Sequence, residues 1–457
     1  MKQGYHKKRD NTRWARYPEG GELMAARPAF KKTIFDNGLT LLTERLSGYR
    51  SLSIGVWVKT GTRHEKPSEA GLSHYLEHML FKGTTSRTAL EIARAVDRVG
   101  GEFNAFTARE YTCFHILLLD RDADLGLDIL SDVILNSDFD AEEFERERKV
   151  ILQEIAMVDE TPEELAHDLF FDRIYPRHGL GRPILGTEGG IKRMKRGDML
   201  RFFRKHYRPD QVILSVAGDV SHETVKKKIG GLIRASWPGR PTGRVSRQDL
   251  GLEPAPKLKP GCWWAVRPTE QVHLIWGIEG LPYASKDRFA ALLLNIYLGG
   301  GMSSSLFQEI REKKGLAYTV YSSLSPYTDS GVFTVYAATG MNQVPLCLRL
   351  IEECVEKVRK DLLPDDEIQM IKDNLKGTVL LSSDNVESRM SAIAKSEIFL
   401  GEYHDPEKIC AQIDAVTAAD IRRVARKLFA QDGRSVLLLG PKPSRQLRSR
   451  LNPKILK

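Results

Sequence analysis

Ser51-Leu-Ser-Ile-Gly-Val-Trp-Val58 alternates apolar with small or polar residues, the two-residue period of a strand with one face in a core. Gln271-Val-His-Leu-Ile-Trp276 reads the same way. Each run leads through a short turn region into a helix, at 69–80 and at 287–298. A polar helix and further strands follow in both places, 95–101 then 102–119, and 308–315 then 316–338. Asp140-Ala-Glu-Glu-Phe144 and Pro364-Asp-Asp-Glu-Ile368 each open a helix with acids in the first turn, where the helix dipole favours them. Finally, a helix and an apolar strand close each set, at 195–219 and 417–440. Landmarks repeated in one order mark an internal duplication. The expectation is an α+β fold of two homologous halves, each a mainly antiparallel sheet packed with helices.

The halves fall at 31–235 and 264–457. Between them, 236–263 holds Pro238, Pro241, Pro254, Pro256 and Pro260, the composition of an extended linker. Residues 1–30 are basic, with Gly and Pro, and lack the apolar core of a secretory signal. Asp10, Glu19 and Glu22 speak against a mitochondrial presequence, so this stretch reads as a flexible extension.

Composition excludes several classes. A chain that is 41% hydrophobic and 28% charged has a globular balance, and no run approaches the apolar length of a membrane span. The net charge of +9 is not gathered into a patch. Basic residues are interleaved with acids, as in Glu145-Arg146-Glu147-Arg148, which describes solvated helix faces rather than a nucleic-acid surface. The five cysteines, Cys113, Cys262, Cys347, Cys354 and Cys410, are scattered and include no CxxC pair. That spacing argues against a disulfide framework and fits a reducing compartment.

The chemistry lies in Gly71-Leu-Ser-His74-Tyr-Leu-Glu77-His78-Met-Leu-Phe81. Histidines at i and i+4 share one helix face and can hold one metal through their imidazole nitrogens. Glu77 stands beside them, placed to take a proton from water at the metal. This H-x-x-E-H order reverses the commoner H-E-x-x-H. A motif this short also recurs by chance, and a third ligand must come from elsewhere. Glu154 qualifies, in a helix where Glu147 lies seven residues earlier on the same face. Glu147 reads as an outer acid that orients a ligand; taken singly, either glutamate is an ordinary surface residue.

Four stretches, HYLEHMLFKGT (74–84), GGEFNAFTAREYT (100–112), FERERKVILQEIAMVDE (144–160) and LGRPILGTEGGIK (180–192), resemble the M16 (insulinase/pitrilysin) family of zinc peptidases. Within it the likeness is to the processing-peptidase branch, the catalytic β subunit of the mitochondrial enzyme and its single-chain bacterial relatives. It runs from about residue 30 to about 440. The resemblance implies Zn2+ held by His74, His78 and Glu154, Glu77 as general base and Glu147 as supporting acid. It implies that the halves enclose a chamber for an unfolded peptide or presequence-like segment, in a homodimer or with a related subunit. The second half has lost the metal: 289–302 contains no His, Asp or Glu, and 264–457 holds only His273 and His404. By the same resemblance Arg311 and Tyr318 face the catalytic centre, Tyr318 as donor to the developing oxyanion; Arg311 otherwise reads as a solvated helix charge. Asn104 and Ala105, in a run that reads as an edge strand, hold the substrate backbone. Phe81 lines the pocket past the scissile bond, or else packs in the core. Glu164 and Asp168, at i and i+4, receive a substrate arginine, or else form a solvated acidic face.

Two other functions compete with a zinc endopeptidase. A non-catalytic scaffold or partner subunit would lack ligands that are all present here. A structural zinc module would show closed, cysteine-rich ligation, whereas this motif leaves a coordination position open. The compartment implied is the cytoplasm in a bacterium, or the mitochondrial matrix in a eukaryote.

Overall fold

A computed structural model of the chain describes residues 29–236, 253–429, 433–445 and 447. The expected extension, up to residue 28, and most of the expected linker, 237–252, lie outside the described residues. The first sheet contains β1 (Ala29–Ile34), β2 (Thr40–Arg45), β3 (Ser51–Val58), β4 (Glu102–Thr107), β5 (Thr112–Leu119) and β6 (Val212–Gly218). Its strand order is β1-β2-β6-β3-β5-β4. The second contains β7 (Gly261–Val266), β8 (Val272–Glu279), β9 (Ala317–Pro326), β10 (Gly331–Thr339) and β11 (Ser435–Gly440), in the order β7-β11-β8-β10-β9. Apart from β1 the two orders coincide, and so do the pairings. Only β2 with β6 and β7 with β11 run parallel; the other ladders are antiparallel. The duplication is therefore visible as one topology used twice.

The first half contains, in chain order, the helices α1 (Leu72–Leu80), α2 (Ala89–Asp97), α3 (Ala123–Asn136), α4 (Ala141–Glu160) and α5 (Pro162–Ile174). The helix expected at 69–80 starts later, after a separate turn at Pro67–Glu69, and that expected at 308–315 is a short π-helical segment, Phe307–Glu312. The end of the expected linker is already ordered, since Leu258 is buried and β7 starts at Gly261.

Each sheet has a core on one face. Leu41, Ile54, Val58, Leu72, Leu76 and Phe114 belong to the first, and Leu274, Trp276, Leu293, Leu294 and Val335 to the second. The other faces are covered by exchange. From the first half, α5 lays Leu165, Ala166, Phe170 and Ile174 against Ile275, Val332, Leu437 and Leu439 of the second sheet. In return the helix Val386–Phe399 lays Val386, Met390, Ile393 and Ala394 against Leu42, Trp57, Ile213 and Ala217. A glycine makes room at each seat. A Cβ on Gly55 of β3 would lie 2.3 Å from Met390 Sδ, and one on Gly277 of β8 would lie 2.5 Å from Phe170 Cζ.

Two buried charge clusters close the same seam. Glu44, fully buried in β2, receives Arg389 Nε at 2.9 Å, Arg389 Nη2 at 2.6 Å and the Tyr403 hydroxyl at 2.6 Å. Arg63 reaches Glu110 at 2.6 Å and Asp329 at 2.7 Å, and Glu110 also accepts the Thr328 N–H at 2.9 Å. Removing one member of such a pair leaves the other charge buried and alone. Arg389→Met is expected to lower the unfolding free energy by ~3–5 kcal/mol. Glu44→Gln in the same chain should restore part of that loss. Denaturant titration measures both, and a single-variant loss below ~1 kcal/mol would show that Glu44 is solvated in the protein.

Candidate metal centre

The metal-motif helix is set by its apolar stripe. Leu72, Tyr75, Leu76, Met79 and Leu80 are buried, the i, i+3, i+4, i+7, i+8 pattern of a core-facing helix. His74, Glu77, His78 and Phe81 take the other face and are half-buried. The first turn of α1 has N–H groups without helical partners, and Glu65 supplies them. Its carboxylate accepts from Gly71 N–H at 2.9 Å and Ser73 N–H at 2.7 Å. Gly71 has φ +96°, and a Cβ there would lie 2.8 Å from the Leu185 carbonyl oxygen, so the entry turn demands glycine. Burial pushes the Glu65 carboxyl up to about 7, against the pull of the Ser73 and Gly71 N–H groups.

Tyr75 docks α1 on α4: its ring stacks on Phe144 at 4.5 Å and its hydroxyl donates to the Phe144 carbonyl. Asp140 caps α4 by accepting from Glu142 and Glu143 N–H at 2.8 and 2.9 Å. With the two helices docked, Glu147 and Glu154, two turns apart, both face the histidines. Glu147, 5% exposed, holds His78 Nδ1 at 2.9 Å and is itself held by Lys82 Nζ at 2.7 Å. That fixes the ring so that Nε2 faces Glu154 Oε2 at 3.4 Å, with His74 Nε2 3.6 Å from the same oxygen. One ligand atom from each of His74, His78 and Glu154 falls within 4.8 Å of the others. Two imidazole nitrogens and a carboxylate oxygen are a donor set that suits zinc with a position left open. Burial, helped by the neighbouring His78, pushes the His74 pKa down to about 3, so its imidazole is neutral, as a metal ligand must be.

Glu77 accepts a hydrogen bond from the Thr107 hydroxyl on β4. Burial raises its carboxyl, opposed by Thr107 and His78 and reinforced by Glu154. β4 is the free edge of its sheet, as expected. There Asn104 is exposed, and its Oδ1 accepts the Ala105 N–H at 2.8 Å. Phe81 packs on Phe103 at 4.5 Å and Phe114 at 6.4 Å, at the border of the core. Glu164 is exposed on α5 and Asp168 half-buried. Burial raises the Asp168 carboxyl, Arg109 opposes, and Glu164 and Asp159 add to the rise. Arg311 lies 4.4 Å over the ring of Tyr318, which is 75% exposed. Among the described residues this pair forms no hydrogen bond, ion pair or ring contact with His74, Glu77, His78 or Glu154.

Sequence reading missed Glu65, Lys82 and Thr107. Thr107 was accessible, since 103, 105 and 107 alternate onto one face of β4. Glu65 was not, because its bond to Ser73 crosses eight residues of turn with no periodic signal.

Two adjoining family profiles match the chain. Residues 40–188 match Insulinase (Peptidase family M16), and residues 193–375 match Peptidase M16 inactive domain. The chain is 38% identical over 404 residues to the uncharacterized zinc protease YmxG of Bacillus subtilis, covering 88% of this chain and 96% of that protein. The chain belongs to the M16 peptidase family. An uncharacterized zinc protease of Streptomyces coelicolor is 39% identical over 424 residues, 91% of this chain and 90% of that protein. A Helicobacter pylori protease of known crystal structure superposes with a TM-score of 0.85 at 23% identity, over 91% of this chain and all of that one, which bears on the fold alone. No helix among the described residues is long and apolar enough to cross a membrane.

Glu65→Gln keeps the size of the cap but lets its amide accept from only one of the two N–H donors. The expected loss is ~1–3 kcal/mol of unfolding free energy, with weaker zinc retention in competition against a chromophoric chelator. An unchanged denaturation midpoint would show that α1 does not need this cap.

Proposed function

We propose that the chain is a zinc-dependent endopeptidase acting on unfolded peptides or presequence-like segments. The convergence of His74, His78 and Glu154 from two docked helices, with Glu77 alongside, carries this reading. His74 and His78 through Nε2, and Glu154 through a carboxylate oxygen, would hold the zinc. When bound, the metal supplies Lewis acidity toward a carbonyl oxygen and toward water.

The remaining work falls to side chains. Glu77, steadied by Thr107, takes the proton of the attacking water and returns it to the leaving amine. Glu147 and Lys82 keep the His78 ring in place. The peptide adds as a strand to the open edge of β4, where Ala105 N–H exchanges the Asn104 side chain for a substrate carbonyl, and Phe81 borders the pocket beyond the cut. Arg311 and Tyr318, away from the centre in a single chain, are brought to it when a homodimer, or a pair with a related subunit, closes a chamber around the peptide. Five free cysteines accord with a reducing site of action, the bacterial cytoplasm.

Hydrolysis of a peptide library by the purified chain should stop with chelator and return with zinc; activity unaffected by chelation would sink the metal mechanism. Glu77→Gln should retain stoichiometric zinc by elemental analysis while kcat falls ~10²–10⁴-fold. Glu154→Ala should instead lose metal. Near-normal turnover in metal-loaded Glu77→Gln would remove Glu77 from the role of base.

Glu164 and Asp168 are proposed to grip an arginine two residues before the cut by charge-assisted bonds. Replacing that arginine with neutral citrulline should lower kcat/KM in the wild type, and much less in Glu164→Gln/Asp168→Asn. If the double variant discriminates as strongly as the wild type, these acids do not read the substrate.

A further inference from the structure

Away from the metal centre, two cavities meet in the second half. One, of about 360 Å³, is apolar, with Leu281, Leu292, Leu324 and Ile409 in its wall. The other, of about 550 Å³, has a mixed wall that includes Ser285, Lys286 and Gln412 beside Leu400 and Val416. Both volumes fall in the on-the-order-of 300–1,000 Å³ span of small-ligand sites. Arg288, Phe289, Leu400 and His404 belong to both walls, which places Arg288 at the neck between an apolar cavity and a mixed one.

A half-buried guanidinium is ordinarily matched by a carboxylate. Arg288 forms no ion pair with any described acid. Its Nη2 donates to two neutral acceptors, His404 Nδ1 at 3.2 Å and Gln412 Oε1 at 3.3 Å, and the group lies 4.6 Å over the Phe289 ring. The acids nearby make their contacts elsewhere, although the Glu402 charge acts on Arg288 through space. Glu402 takes His404 Nε2 at 2.6 Å, while Asp287 and Asp420 each hold Arg423 at 3.0 Å. Nε and Nη1 of Arg288 have no protein partner among the described residues, so each is left to donate singly to a carboxylate oxygen beside the engaged Nη2.

We infer that this neck binds the free C-terminus of a peptide, with the α-carboxylate on Arg288 and an apolar last side chain in the smaller cavity. The larger cavity takes the preceding backbone, with the Gln412 amide and the Ser285 hydroxyl as polar neighbours. This second chamber favours a peptide over a fatty acid, whose carboxylate has nothing beyond it. Every peptide bond hydrolysed creates a new free carboxylate, so a peptidase has ligands of this class at hand. That supply rests on the proposed activity; the binding itself does not.

The test is calorimetric titration of the full-length protein with N-acetyl-glycyl-glycyl-phenylalanine, with its C-terminal amide, and with octanoate. Mass spectrometry of the probe afterwards shows whether it stayed intact, which separates binding from cleavage. The acid should bind about tenfold or more tightly than the amide, since only the acid meets the guanidinium with a charge. Arg288→Gln should erase that difference. Leu292→Trp, which fills the apolar cavity with Arg288 intact, should weaken the acid by about tenfold. Melting curves show whether each variant folds, and the comparison of acid with amide on the wild type decides the point if neither does. Equal affinity for acid and amide, or an unaltered preference in folded Arg288→Gln, would overturn the site. Octanoate binding as tightly as the tripeptide acid would overturn the peptide assignment.

Discussion

The reciprocal seating of α5 and the helix Val386–Phe399 holds the rest of the molecule in place. Each sheet has two apolar faces, and its own half covers only one. The second face of either sheet finds its cover in a helix from the other half. Hydrophobic burial is proportional to area and indifferent to connectivity, so the exchange works as well as local packing would. What makes it specific is shape. Gly55 and Gly277 stand in strands at the same place in the two sheets, and each leaves the space that Met390 or Phe170 occupies. Around this apolar seam the Glu44–Arg389 and Arg63–Glu110–Asp329 clusters are fully hydrogen-bonded or nearly so. Buried charges of that kind contribute geometry more than net stability.

The metal centre inherits its precision from this frame by a short chain of contacts. α1 rests on the first core through five apolar residues, and its N-terminus is pinned by Glu65 across the Gly71 turn. α4 meets it through the Tyr75–Phe144 stack. Neither helix alone carries all three candidate ligands, and their docking brings Glu154 to His74 and His78. Glu147 then orients one imidazole without joining the donor set. α4 is followed directly by α5, with only the extended residue Thr161 between them, so the helix that carries Glu154 is one residue in sequence from the helix seated on the opposite sheet. Metal geometry and the union of the halves are mechanically linked.

Much of this was legible in the sequence because it rests on period and spacing. The alternation at 51–58 named β3 to the residue, and the i, i+4 histidines with the seven-residue step from Glu147 to Glu154 named one face each of α1 and α4. The strand orders of the two sheets repeat because the landmarks repeat. What escaped was set by contacts between distant segments. Nothing in Pro162–Ile174 announces that Phe170 will pack beside Gly277 rather than in its own half, since an amphipathic helix records that it has an apolar face but not which sheet will meet it. Glu44 sits beside Arg45 in a strand otherwise built of leucine and threonine, and its partner lies 345 residues away. The short π-helical segment at Phe307–Glu312 likewise follows from packing, because its composition is that of any polar helix.

The exchanged helices also bear on how the chain is made. α5 leaves the ribosome early, yet Leu439 of the sheet that covers it comes about 270 residues later. At roughly 5–20 residues per second that is a wait of about 15–50 s. Ile275 and Val332 of that sheet are made sooner, but for that time Leu165, Phe170 and Ile174 lack the β11 part of their native surface, and the Trp57 face of the first sheet waits similarly for Met390. The first half therefore cannot complete folding as an independent unit while synthesis continues. The exchanged helices can be fully seated only once both halves have been made.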